Sequence, residues 1–190
     1  MLVLVLHGGQ AYGLGPTSWW QASVLRLAPF TAAIARRGRR DLAVCFLRYA
    51  VRGWNAGADP LRDARWALAQ MEEAHGDVPI VLVGYSMGGR TALRLVNERP
   101  FAALVTLSAW AEPQEVKPGP GASSMKALML HGSDDEVCAP QGTEAAADIL
   151  RRAGVEVELE IVPGDTHAIV KNARYWHRRT ADFVVDAVLT

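Results

Sequence analysis

Apolar residues gather in six short runs, at 2–6 (LVLVL), 42–48 (LAVCFLR), 79–83 (PIVLV), 102–107 (AALVTL), 126–130 (KALML) and 155–162 (VEVELEIV). They lack the period-two polarity of a half-exposed strand, as strands buried on both faces do. The last run differs, because it alternates Val and Glu and predicts an edge strand with one solvated face. Helical patterns separate the runs. Residues 18–37 put Val24, Leu27, Ala28, Thr31, Ile34 and Ala35 on one side, with Ser18 placed to cap the start, Gly38 to end it and Pro29 to kink or divide it. Residues 60–75 open on Pro60 and carry a Leu61, Ala64, Leu68, Met71 stripe. Helices are also predicted over 87–98, over 142–153 with Ala146, Ile149, Leu150 and Ala153 inward and Gly154 as a stop, and over 170–189 with Trp176, Thr180, Phe183, Val184, Ala187 and Val188 inward.

Strands alternating with helices predict a parallel sheet with covering helices. No internal repeat interrupts the alternation. One connection departs from it: residues 108–124 (SAWAEPQEVKPGPGASS) hold a Pro-Gly-Pro-Gly run and no helical period. An irregular loop is expected here, and a loop of this length in a compact domain is often functional.

The third run ends in VGYSMGG, residues 83–89, which sets Ser86 between a buried strand and a helix. A tight strand–turn–helix of this kind forces the serine toward positive φ, and Gly84 and Gly88 leave room for its neighbours. It places the hydroxyl above the strand's C-terminal end and at a helix N-terminus, where free N–H groups favour a developing oxyanion. A serine hydroxyl needs a base, and the base an orienting acid. C-terminal strand ends share one edge of a parallel sheet, so the later strand ends supply candidates. These are Asp134 and Asp135 after the fifth run and His167 after the sixth. Of the other histidines, His7 and His131 precede glycines and shape turns, while His75 and His177 fall on helices and are expected in solvent.

Four segments together resemble the α/β-hydrolase superfamily: LVLVLHGG at 2–9, GYSMGG at 84–89, HGSDDEV at 131–137 and GDTHAIV at 164–170. The resemblance spans nearly the whole chain. It implies an open, mostly parallel six-stranded sheet in the order 2-1-3-4-5-6, helices on both faces, and a minimal fold without a cap, beginning at the strand that leads to the oxyanion hole. It implies a Ser86–His167–Asp135 triad, the acid lying four residues after His131, with Asp134 as the alternative in a turn or capping role. It implies an oxyanion hole from the backbone N–H of Met87 and of Gly9 or Gln10, Gly9 being preferred. The activity implied is cofactor-free hydrolysis of a small-molecule carboxylic ester or thioester, by an esterase, a thioesterase or a small-substrate lipase. A peptidase, a perhydrolase and a binding module with an idle triad are the remaining readings.

Aromatic residues near strand ends and loops (Tyr12, Trp19, Trp20, Tyr49, Trp54, Tyr85, Trp110) suggest an apolar acyl or aryl pocket, the leading candidates being Tyr85, which flanks Ser86, and Trp110, which follows the fourth strand in the irregular loop. Composition narrows the remaining classes. At 190 residues the chain makes one domain over 1–190, and its 20 basic and 20 acidic residues provide no net field toward nucleic acid or an anionic membrane. RRGRR at 36–40 reads as a solvated helix end. Cys45 and Cys138 have no metal-ligand or disulfide spacing, which suits a reducing cytosol. The opening segment is apolar only to residue 6 and lacks a basic leader, so it reads as a strand and not a signal peptide. No run could span a bilayer. HGGQAYGLG lacks dinucleotide-binding spacing, and no residue set has metal-site spacing. The sequence carries no sign of oligomeric state.

Overall fold

A computed structural model describes the backbone of residues 1–189 and the side chains of residues 1–187. Six strands, β1 (Leu2–Leu6), β2 (Ala43–Leu47), β3 (Ile80–Tyr85), β4 (Ala103–Leu107), β5 (Lys126–Gly132) and β6 (Glu156–Val162), form one sheet. All pairings are parallel, and the order is β2-β1-β3-β4-β5-β6. All C-terminal strand ends therefore open onto one edge.

Alternation along the strands divides the core into two layers. Leu2, Leu4 and Leu6 of β1, with Leu82, Leu104 and Met129, pack against α3 (Ala58–His75), α4 (Met87–Leu95) and α5 (Pro140–Arg152) through Leu61, Leu68, Leu93 and Leu150. Val3 and Val5, with Val83, Val105 and Leu130, pack against α2 (Ala28–Gly38) and α6 (Ala173–Leu189) through Phe30, Ile34, Trp176 and Val184. The LVLVL run thus feeds two hydrophobic layers at once, which is why it shows no polar period.

The structure corrects several expectations. The 42–48 run is only partly buried: as β2 it sits at the sheet edge, with Ala43 exposed, Val44, Cys45 and Phe46 half-buried, and Leu42 and Leu47 buried. Its apolar composition follows from both faces: Val44 and Phe46 pack in the layer of α2, with the Trp19 ring centroid 6.0 Å from that of Phe46, and Cys45 and Leu47 in the layer of α3. Residues 18–37 form two helices. Gln21, not Ser18, precedes the short α1 (Ala22–Leu25) and makes no side-chain cap, and Pro29 lies in the first turn of α2, where its missing N–H costs nothing. Ser18 instead closes a turn, its Oγ accepting the Trp20 N–H. His177 is half-buried, edge-on to Phe30 at 4.5 Å, and burial with Arg36 nearby pushes its pKa down. Val188 lies outside the described side chains. The 108–124 segment is irregular apart from 3-10 turns at Pro113–Glu115 and Ala122–Ser124. Edge strand β6 is as expected, with Glu160 paired to Arg179 of α6 at 2.6 Å. Among the described residues no helix is long and apolar enough to cross a membrane.

Candidate active site

Strand β3 runs into α4 through a single residue, Ser86, held at φ 51 and ψ −117. The turn is tight because backbones touch. A Cβ on Gly84 would stand 2.4 Å from Gly88 O, and one on Gly88 would stand 2.1 Å from Leu6 O of β1. Glycine at both positions lets α4 start directly against the sheet. The positive φ costs on the order of 1 kcal/mol and is held by the surrounding ladder, with Ser86 N–H bonded to Leu107 O at 2.9 Å.

The loops after β5 and β6 meet above this turn. Ser86 Oγ lies 2.9 Å from His167 Nε2, and His167 Nδ1 lies 2.8 Å from Asp135 Oδ2. The neighbouring Asp134 is exposed and turned away, its carboxylate accepting from Ser133 Oγ at 2.7 Å. The structure therefore brings Asp135, not Asp134, to the histidine.

Asp135 is buried and fully engaged. Its Oδ1 accepts the N–H groups of Val137 and Cys138, each at 2.9 Å. Its Oδ2 also lies 3.1 Å from Nε2 of the buried His131. Burial pushes the Asp135 carboxyl up, but hydrogen bonds from His131, His167 and the Cys138 N–H outweigh it and hold the group well below the usual carboxylate range. The acid is thus fixed as a carboxylate, which orients His167 with Nδ1 as donor and Nε2 free to accept the serine proton.

His131 was expected to shape a turn. It instead sits in β5, with Nδ1 2.6 Å from Thr143 Oγ1 and Nε2 2.8 Å from Cys138 O, and so fixes the loop that carries Asp135. His7 has a comparable part under the loop after β1. Its Nδ1 donates to Gly8 O at 2.6 Å and its Nε2 accepts the Tyr49 N–H at 3.2 Å. Burial is the main reason its pKa falls to about 4, so the ring is neutral.

That loop also borders the serine turn. Gln10 N–H is bonded to Arg52 O at 2.9 Å. Among the described residues no acceptor engages the N–H of Gly9 or of Met87. Both residues, with Ser86, line one cleft. Gly9 fits only as glycine: a Cβ there would meet Met87 Sδ at 2.4 Å and Arg52 O at 2.6 Å. Two unused N–H groups flanking a serine hydroxyl at a helix N-terminus can stabilise a negatively charged oxygen.

The cleft holds about 220 Å³ and is walled by Trp54, Arg90, Trp110, Val137 and Cys138. A shallower groove on the far side of His167 is lined by Arg26, Asp134, Glu136 and Thr166, and Val137 borders both. Trp110 lines the cleft. Tyr85 does not: its side chain points into the opposite layer and is 1% exposed. Its hydroxyl donates to His167 O and accepts from Arg26, each at 2.9 Å, so it braces the histidine loop from beneath. Of the other aromatics, Tyr49 is core and Trp54 is in the cleft, while Trp19 and Trp20 border a separate apolar groove with Val24, Leu25 and Phe46. The Cys138 thiol is no rival nucleophile, because burial and the Asp135 carboxylate push it up to about 12.

Arg90 and Arg26 carried no signal in the chain beyond their residue type, and His131 marked the position of the acid without showing that it bonds to it. Only the pairing of Arg90 with Ser86 at helical spacing could have drawn attention to it.

Comparisons with known proteins agree with this architecture. The model of the alpha/beta hydrolase family matches residues 2–130, and that of the prolyl oligopeptidase family matches residues 104–189. A metagenome hydrolase, MGS-M1 from the deep-sea Medee basin, superposes with a TM-score of 0.74 at 16% identity, covering 100% of this chain and 85% of that one. The protein ATU1826 of Agrobacterium tumefaciens gives 0.76 at 18% identity, with 96% and 83% covered. Est1E of Butyrivibrio proteoclasticus, in a structure with ferulic acid bound, gives 0.72 at 13% identity, with 100% and 90% covered. No curated protein matches the chain in sequence. The strand order, the serine turn and a family match over more than half of the sequence place this chain in the alpha/beta hydrolase family.

Proposed function

We propose that the protein is a serine esterase that cleaves small carboxylic esters through an acyl-enzyme. The observation that carries this reading is the unbroken chain Asp135–His167–Ser86, with contacts of 2.8 and 2.9 Å, at the mouth of a cleft with two unused backbone N–H groups. His167 Nε2 takes the proton of Ser86 Oγ as Oγ bonds to the ester carbonyl carbon. The carbonyl oxygen becomes an oxyanion facing the N–H groups of Gly9 and Met87. As the C–O bond breaks, His167 gives its proton to the departing alkoxide and leaves Ser86 acylated. Water then repeats the sequence, losing a proton to His167, and the acid is released. Asp135 remains a carboxylate and stabilises the imidazolium formed in both halves.

The volume of about 220 Å³ supports a short acyl group, since clefts for larger ligands run to ~300–1,000 Å³. A series of p-nitrophenyl esters of increasing acyl length, beside the matching acyl thioesters, tests the proposal. Turnover that peaks at short esters and disappears in Ser86→Ala is expected. Thioesters hydrolysed well ahead of esters would favour a thioesterase, and a maximum at long chains a lipase. A peptidase is a second reading, favoured by the prolyl oligopeptidase match over 104–189. That stretch contains Asp135 and His167, which either activity needs, so peptide p-nitroanilides belong in the same series. No turnover of any substrate by folded protein would leave a binding module.

A further inference from the structure

We propose that the cleft beside Ser86 accepts an acyl group ending in a carboxylate, anchored by Arg90; this rests on the ester-cleaving reading above and names its substrate class. Arg90 follows the serine by one helical turn, its N–H bonded to Ser86 O at 3.0 Å, so its side chain rises on the serine's side of α4. It is the one charged residue among the described residues lining the cleft.

The guanidinium is held rigidly. Its carbon sits 4.6 Å from the Trp54 ring centroid and 4.3 Å from that of Trp110, so indoles cover it from two sides. Its Nε and Nη2 both reach Glu115 Oε2 at 2.8 Å. Its Nη1 makes no hydrogen bond among the described residues. Glu115 is shared, because Arg94 Nη1 holds the other carboxylate oxygen at 3.0 Å. Two guanidinium groups therefore divide one carboxylate. Glu112, the other acid of this segment, is exposed, caps the 113–115 turn and does not line the cleft.

A purely structural clamp is already present without Arg90. Arg94 bonds the Glu115 side chain, and Asn97 Nδ2 donates to Glu115 O at 2.6 Å. What Arg90 adds is an unused donor edge, fixed by two indoles in a largely apolar cleft. There a carboxylate would form a charge-assisted hydrogen bond with little reorganisation of the protein. With Arg90 one helical turn from Ser86, a carboxylate that reaches it from the scissile carbonyl ends a short acyl chain, so the class is monoesters of small dicarboxylic acids.

The test compares p-nitrophenyl hydrogen glutarate with p-nitrophenyl pentanoate, which has the same chain length and no charge. In the native protein kcat/KM should favour the charged ester about tenfold or more, with the preference shrinking at high salt. Arg90→Gln should abolish the preference and Arg90→Lys should retain part of it. A native ratio at or below one, or a ratio unchanged in Arg90→Gln, overturns the inference while ester cleavage stands. Should neither ester be cleaved, the ester-cleaving reading fails, and binding decides the anchor. Glutaramate and pentanamide are then titrated against native protein and Arg90→Gln, followed by tryptophan fluorescence. Saturable binding of glutaramate alone, weakened in Arg90→Gln, supports the anchor. Absence of such binding by folded native protein overturns it.

Discussion

Asp134 and Asp135 are adjacent in sequence and opposite in environment. One is exposed on a turn; the other is buried, with four N–H groups directed at its oxygens. Asp135→Asn should lower kcat by about 10³–10⁴-fold, because an amide cannot hold His167 in the required tautomer. Asp134→Asn should change it by no more than about twofold, as exposed substitutions do. Steady-state kinetics on one ester separates them, and the reverse ranking would refute the assignment. Gly9→Ala should reduce kcat about 10²–10³-fold with less effect on KM, since the new methyl must displace Met87 or the Arg52 carbonyl and so spoils both oxyanion donors.

His7 makes a pH prediction at the same scale. Its pKa falls from 6.5 to about 4 on folding, so the folded state disfavours the imidazolium. The stabilisation this gives is complete above pH 6.5 and is lost as the pH falls toward about 4. The slope can reach about 1.4 kcal/mol per pH unit. Urea unfolding across this range should show a slope that His7→Asn reduces. The depressed Asp135 carboxyl acts in a lower window, its contribution being lost as the pH drops below the ordinary carboxylate value of about 4.

At the scale of elements, α4 carries Ser86 at its N-terminus, and it and the residues just after it grip the 108–124 segment. Arg90, Arg94 and Asn97 all bond Glu115, and Lys117 N–H donates to Asn97 Oδ1 at 2.7 Å. The segment that carries Trp110 is thereby tied to the helix that presents Ser86. Glu115→Gln should cost about 1–3 kcal/mol in urea unfolding and raise KM for short esters more than it lowers kcat. Unchanged stability would mean that the segment is held by packing alone.

The elements were legible in the sequence to different depths. Strands β1, β3, β4 and β5 were readable because burial on both faces leaves continuous apolar runs. The serine turn was readable because a positive φ with backbone contact on two sides admits little besides glycine around it. The expected strand order put β2 at the edge, but its burial was overread, since Val44 and Phe46 pack on one layer and Cys45 and Leu47 on the other, and an apolar run does not distinguish this partial cover from that of a central strand. Tyr85 was misplaced because strand alternation beside the nucleophile sends it to the layer opposite the cleft. The roles of His131 and Arg90 were illegible, since they depend on partners 4 to 36 residues away that only the fold brings near.

For the whole molecule, parallel strand polarity explains why three distant residues meet. β3, β5 and β6 all end at one edge, and the loops leaving them deliver Ser86, Asp135 and His167 to one point. With only 108–125 between β4 and β5, the cleft is bounded by side chains of loops and helices and not by a separate domain. Selectivity for acyl size should therefore follow the cleft walls. Trp110→Ala should move the optimum on the ester series toward longer acyl groups, and an unchanged profile would remove Trp110 from the acyl wall.

The central claim is that Ser86 is made nucleophilic by His167 beside preset amide donors. Labelling with a fluorophosphonate, followed by mass mapping of the modified peptide, tests it most directly. The account predicts one adduct, on Ser86, with the rate of labelling reduced by orders of magnitude in folded His167→Ala. Folded native protein that stays unlabelled, or that is labelled equally fast without His167, would contradict it.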